Sequence, residues 1–367
     1  MRHVLLALAV AALATSTGAQ TYTVTNFGPF GTGTLSAATD VNASGVVAGY
    51  ATPTPTAPTR VGRYEAGTLT NLGLPAATRA TWGWGINDAG HVAGSGILST
   101  GYGIAFVHRN GAFTTLPTLG GNSGGARDIN NAGFVTGQSN LADNTGRAFR
   151  YDLNTGTMTD LGTLGGLTSY GAAINANGWV AGSSDVSMTG SATRAFIARP
   201  GQAMFGFGLG GDFSSAQDIN DAGKVVGQSS LPGNNEVSHA FLFTGETVLD
   251  LGTLGGRLST GYGINDADTV VGASLKEDNN TFYAFIYQNG VMTDLNTLIA
   301  PDSGWVLNTA LKINNAGVIV GTGTFAGEQR GFILAPTAVP EPSTYAALAG
   351  LAALALVGFR RRRRRAG

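Results

Sequence analysis

Three aspartates recur at one position of a repeated segment: Asp40, Asp128 and Asp218 each stand directly before an Ile/Val-Asn pair. Gathered at one centre they could hold a cation or grip sugar hydroxyls. Set among loop amides they are ordinary hydrogen-bond acceptors, which is the simpler account. Other candidate chemistry is thinner. His91, His108 and His239 have no metal-ligand partner at i+2 or i+4 and read as surface histidines. Gly-Gly pairs at 120–121, 165–166, 210–211 and 255–256 follow strands and lead into strands, with no helix start or Lys-Ser/Thr beside them, so they do not form a phosphate loop. No nucleophile can be paired with a base. The sequence therefore assigns no catalytic residue, no metal and no cofactor.

These residues belong to a repeat typified by residues 147–184. It divides into four short apolar runs closed by turn residues, the pattern of consecutive antiparallel strands. Strand a covers 170–175 and strand b 178–184, joined by an Asn-x-x-Gly turn; strand c covers 148–152 and strand d 158–164. The signature Ile-Asn-x-x-Gly-x-Val-x-Gly occurs seven times, with its asparagine at Asn42, Asn87, Asn130, Asn175, Asn220, Asn265 and Asn314. Successive spacings of 45, 43, 45, 45, 45 and 49 residues match a four-stranded propeller blade. Strand c recurs around Arg63, Phe106, Phe149, Phe196, Phe241, Phe285 and Phe332, whereas strand d is missing after the last copy. Its counterpart lies at the other end, where residues 25–31 follow the pattern of 159–165. A ring in which the N-terminal strand completes the last repeat leaves no bare edge, which an open stack would need caps to cover. The expectation is an all-β, seven-bladed β-propeller of about 45-residue four-stranded repeats, closed by the N-terminal strand. The fourth repeat is one residue short at 207–209, and Asp268 replaces the turn glycine of the sixth.

Because strands alternate in direction, the a-to-b and c-to-d turns share one face and the b-to-c and d-to-a loops share the other. The first face is uniform. The second varies: residues 51–59, 185–193, 230–238 and 276–281 all fill the b-to-c slot. Trp82, Trp84, Tyr170 and Tyr262 lead from d into a, and Tyr102 lies between b and c, so these aromatics mark the candidate binding face. The competing explanation is that their rings fill the channel mouth.

The two ends frame this ring. Residues 1–19 have a basic start at Arg2, an apolar run and small residues before Gln20, which reads as a secretory signal peptide cut after Ala19. Without cysteine, an exported chain must be held by packing rather than disulfides. At the C-terminus Pro340, Glu341 and Pro342 precede an apolar run at 345–359 and six arginines at 360–365. Excluding Arg2, those arginines and Glu341, 21 basic residues fall to 14 and 22 acidic ones to 21, so the ring is near −7 although the whole chain is near −1. Such a balance argues against nucleic acid and against anionic lipid as partners. The expected organisation is a signal peptide at 1–19, a propeller at 20–336, a linker with the sorting motif at 337–344, a short transmembrane segment at 345–359 and an Arg-rich tail at 360–367.

The C-terminal order of short motif, apolar segment and basic stop resembles a PEP-CTERM sorting signal. That resemblance implies processing at Pro340-Glu341-Pro342 by an exosortase, transient inner-membrane anchoring, and delivery to the cell surface or extracellular matrix of a Gram-negative bacterium. An apolar run of 15 residues is short for a permanent span, and the arginines hold its end on the cytoplasmic side. The repeat itself resembles the extracellular HAF family, named for a His-Ala-Phe triplet, here His239-Ala240-Phe241 followed by a Leu-Gly-Thr-Leu-Gly-Gly strand. Arg147-Ala148-Phe149, Arg194-Ala195-Phe196 and Tyr283-Ala284-Phe285 are variants, and the resemblance covers about 22–335. It implies a secreted repeat protein. The expected function is a non-enzymatic surface or biofilm-matrix propeller that binds extracellular polysaccharide or a surface protein; the alternative is a polysaccharide-acting lyase or hydrolase on the same scaffold.

Overall fold

A computed structural model describes residues 20–189 and 192–337, of which 22–335 form one compact all-β propeller. The signal peptide with Ala19, the sorting motif Pro340-Glu341-Pro342, the apolar run at 345–359 and the arginine tail lie outside the described residues. Among the described residues no helix is long and apolar enough to cross a membrane.

Each asparagine of the signature explains itself locally. Its Oδ1 accepts the backbone N–H four residues on at 2.9–3.0 Å in all seven repeats, which shapes the turn from strand a to strand b. Its Nδ2 donates to the carbonyl of the equivalent asparagine in the next repeat, at 2.9–3.2 Å. Asn314 then donates to the carbonyl of Asn42 at 2.9 Å, so the belt of seven is closed. All seven side chains are buried, and each satisfies polar groups that water cannot reach. The turn glycines adopt positive φ; Asp268 takes their place at φ 61° and offsets the poorer fit by pairing with Lys224 Nζ at 2.5 Å.

The final glycine of the signature has a packing cause. Every strand a carries a β-bulge three residues before its asparagine, for example between Gly171 and Ala173. The bulge pushes a carbonyl toward strand b. A Cβ on Gly182 would sit 1.9 Å from the Tyr170 carbonyl oxygen, and one on Gly137 2.0 Å from that of Gly125. Opposite these glycines lie the strand-c phenylalanines, Phe106, Phe149, Phe196, Phe241, Phe285 and Phe332, all fully buried. The first repeat lacks that ring, because Gly62 stands opposite Gly49. Phe27 and Phe30 supply the missing volume: Phe27 Cζ lies 2.9 Å from the Cβ position of Gly49, and Phe30 Cζ lies 2.9 Å from that of Gly62.

The strand Tyr22–Asn26 joins the outer edge of the sheet formed by Trp305–Ile313, Ile319–Phe325 and Glu328–Pro336. The seven separate blades expected from the repeat count are corrected here. The described strands form five separate four-stranded blades and one eight-stranded sheet. In that sheet the fifth and sixth repeats are continuous through one parallel pair, Ser238 with Leu258. There Leu258 lies within the strand Gly255–Ile264, whereas its counterpart Phe213 falls just before the strand Ser214–Ile219. The matching contact one repeat earlier is only an isolated bridge, Thr193 with Phe213. Strand d is also shorter than expected in the type repeat, ending at Asp160 in Thr157–Asp160.

Candidate functional site

Two concavities stand out, at opposite ends of the innermost strands. The first opens on the face of the Asn-x-x-Gly turns and has a volume of about 220 Å³. Asp40, Asp128 and Asp218 line it together with Lys312, which holds the same position in the seventh repeat. Each aspartate reaches into the next repeat: Asp40 accepts from the Ile86 amide at 2.7 Å, Asp128 from Ile174 at 2.9 Å and Asp218 from Ile264 at 2.9 Å. Asp40 and Asp128 also accept from the following amides, Val41 and Ile129, at 2.8 Å each. Lys312 Nζ donates to Asp218 Oδ1 at 2.5 Å. Small residues at the alternate positions are sterically required, since a Cβ on Gly85 would lie 2.7 Å from Asp128 Cα and one on Gly263 2.8 Å from Lys312 Cα.

The electrostatics of this mouth are lopsided. Burial pushes Asp40 up to about 7, with Lys312 pulling the other way and Asp128 adding to the rise. Asp128 is raised by the same burial, again opposed by Lys312. Burial works against the Lys312 ammonium, but Asp218, Asp128 and Asp40 together outweigh it and hold its pKa above the ordinary lysine value. The three aspartates thus act as clamps between repeats around one cation. Among the described residues no group of three or more His, Cys, Asp or Glu is placed to hold a metal ion. Lys312 was missed by reading only the acidic copies of the position; carrying the alignment into the seventh repeat would have found it.

The second concavity, of about 330 Å³, lies toward the variable-loop face. It brings together three of the five aromatics marked in the sequence: Trp82, Trp84 and Tyr170. Arg127 sits among them, its guanidinium carbon 4.1 Å from the Trp84 ring centre and 5.6 Å from that of Tyr170. Tyr50 meets the other side of this cluster, edge-on to Trp84 at 5.6 Å. Gln138 and Asn140 complete the polar wall. Trp84 and Arg127 are both bulge residues, which is how adjacent strands aim side chains of such size into one space. Burial raises the Tyr170 hydroxyl pKa, and Arg127, which hydrogen-bonds it, opposes that rise. Tyr262 and Tyr102 do not join the cleft. Tyr262 is half-buried on Gly255–Ile264, and Tyr102 is 47% exposed in its loop. Of the histidines, His108 is buried against Phe113 rather than exposed, and His239 Nδ1 pairs with Asp250 at 2.8 Å.

The ring and its sites define a β-propeller, and comparison with solved structures agrees at the level of fold. YCF48 bound to D1 peptide is 12% identical, with 87% of this chain and 97% of that chain covered at a TM-score of 0.50. The β-propeller domain of the Trilobed protease from Pyrococcus furiosus is 11% identical over 84% of this chain and 100% of that domain, at 0.50. A puromycin-hydrolysing peptidase of Mycobacterium tuberculosis is 15% identical over 77% of this chain, which spans only 48% of the peptidase, at 0.51. Identities this low show the fold alone. No curated protein sequence matches the chain. Residues 338–364 match the PEP-CTERM protein-sorting motif. This match implies exosortase-mediated processing, export, and surface or extracellular association in a Gram-negative bacterium.

Proposed function

We propose that this protein is a secreted, surface- or matrix-associated propeller of the HAF repeat type, and that it binds extracellular polysaccharide without cleaving it. The observation that carries this reading is the cleft of Trp82, Trp84 and Tyr170 around Arg127. Flat aromatic faces beside amides and hydroxyls suit a sugar ring, which offers one apolar face and a polar rim. The sorting match, which implies surface or extracellular association, supports this reading. A rigid ring presenting an adaptable loop face is also the usual arrangement for recognition.

The test uses the full-length protein and the host's own exopolysaccharide. Retention of polymer of unchanged length is expected. Shortened polymer would replace this reading with a polysaccharide-acting enzyme. Replacing Trp82 and Trp84 with alanine should weaken retention about tenfold or more, as loss of one or two stacking contacts predicts. Replacing Asn110, Asn154 and Asn289 on the opposite face should leave it unchanged, and equal losses from both sets would reject the cleft.

A further inference from the structure

The two concavities differ in charge, and that difference narrows the ligand class. The channel mouth gathers carboxylates around Lys312. The aromatic cleft contains Arg127 and no acidic side chain at all. Among the described residues the ion pairs are Arg63–Glu65, Lys224–Asp268, His239–Asp250, Lys276–Asp294, Lys312–Asp218 and Arg330–Glu328, so Arg127 is left without a carboxylate. In a ring near −7, a half-buried arginine with no acidic partner is set apart from its surroundings.

Its geometry says what it can receive. Its guanidinium carbon lies 4.1 Å from the Trp84 ring centre, a cation–π contact that keeps the group at the tryptophan. The edge of the group, with its fork of N–H donors, stays available beyond the single bond to the Tyr170 hydroxyl. Such a fork matches a carboxylate in two parallel hydrogen bonds. Beside it, Trp82 and Trp84 offer apolar ring surface, while Gln138 and Asn140 line the same cleft with amides that suit sugar hydroxyls. A cavity of about 330 Å³ belongs to the small-ligand size class rather than to a flat protein contact.

We infer that the cleft recognises an acidic polysaccharide through a uronate unit, whose carboxylate meets Arg127 while its apolar ring face lies on the tryptophans. This rests on the polymer-binding reading above and adds the ligand's charge. No bond is made or broken.

The experiment is titration of the full-length protein with a uronic-acid oligosaccharide and with the same oligosaccharide after carboxyl reduction to the neutral sugar. The acidic form should bind at least tenfold more tightly. Arg127→Gln should bring the two within about twofold of each other, and Trp84→Ala should weaken both; thermal melting checks that each variant is folded. Equal binding of both forms by the unaltered protein overturns the uronate assignment whatever the variants do. So does binding to neither oligosaccharide while host polymer is still retained, which leaves the binding reading intact. If host polymer is not retained either, the binding reading has failed, and this inference with it.

Discussion

Lys312 shows how much one side chain can decide. It stands a fifth exposed against Asp218, with Asp40 and Asp128 close enough to shift its titration. Removing one partner of a buried charge cluster leaves the others uncompensated and typically costs roughly 3–5 kcal/mol. Lys312→Met should therefore lower stability by about that much at pH 8, read by urea unfolding. The loss should shrink at pH 5, where the aspartates can take up protons in place of the lost cation. A penalty that is the same at both values would mean the cluster is not electrostatically coupled. The unaltered protein carries the same sign. Asp40 is raised from 3.8 to about 7 in the fold, so its contribution is fully present below 3.8 and is lost as pH rises through about 7. The position of the aspartates was legible from the repeat, and so was their bonding to neighbouring amides. Their balancing cation was not, because it breaks the residue type that made the pattern visible.

At the scale of elements, the strand Tyr22–Asn26 and the two phenylalanines after it do unequal jobs. The strand completes a sheet, and its departure would expose the edge of Glu328–Pro336. Phe27 is 1% exposed and packs with Val41, Val47, Val320 and Ile333, so it ties the first repeat to the last. Phe27→Ala should cost roughly 3–5 kcal/mol, the usual range for emptying a buried phenylalanine site, with the cooperative transition kept. A chain beginning at Thr32 lacks Phe30 as well and should lose its single cooperative thermal transition; an unchanged melting curve would sink the closed-ring account. The joining of the two ends could be read in the sequence because strand d was missing from one and present at the other. The double duty of Phe27 could not, since the sequence reading sets Arg63 as the equivalent of the phenylalanines, whereas the pairing puts Gly62 there, opposite Gly49.

At the scale of the whole molecule, the period of the repeat gave the propeller, while the division into sheets depended on strand ends that composition does not mark. One parallel pair between the fifth and sixth repeats merges what the spacing alone treats as two equal units. The aromatic cleft was half legible: sequence position brought Trp82, Trp84 and Tyr170 to one face, but the cleft forms between the second, third and fourth repeats, which leaves out Tyr262 of the sixth and the exposed loop residue Tyr102. Charge also belongs to this scale. The six arginines at 360–365 hide an acidic ring, and the sorting match at 338–364 implies exosortase-mediated processing, which at Pro340-Glu341-Pro342 would remove them. Mass spectrometry of the exported protein should find a C-terminus near 340–342. An intact Arg365 on surface-exposed protein would instead mark a simple anchor.

The hydrogen bond from the Gly331 amide to Ser36 Oγ spans 295 residues, and it belongs to the joint between the two ends of the ring. A ribosome therefore makes the strand Tyr22–Asn26 long before its partner Glu328–Pro336. Throughout that interval the early strand waits unpaired. It is suited to waiting, being five residues long with Thr23 and Thr25 exposed rather than a long apolar ribbon. Completion of the ring is thus a timer on synthesis: no shortened chain, stalled or clipped before its last strand, can present the finished circle.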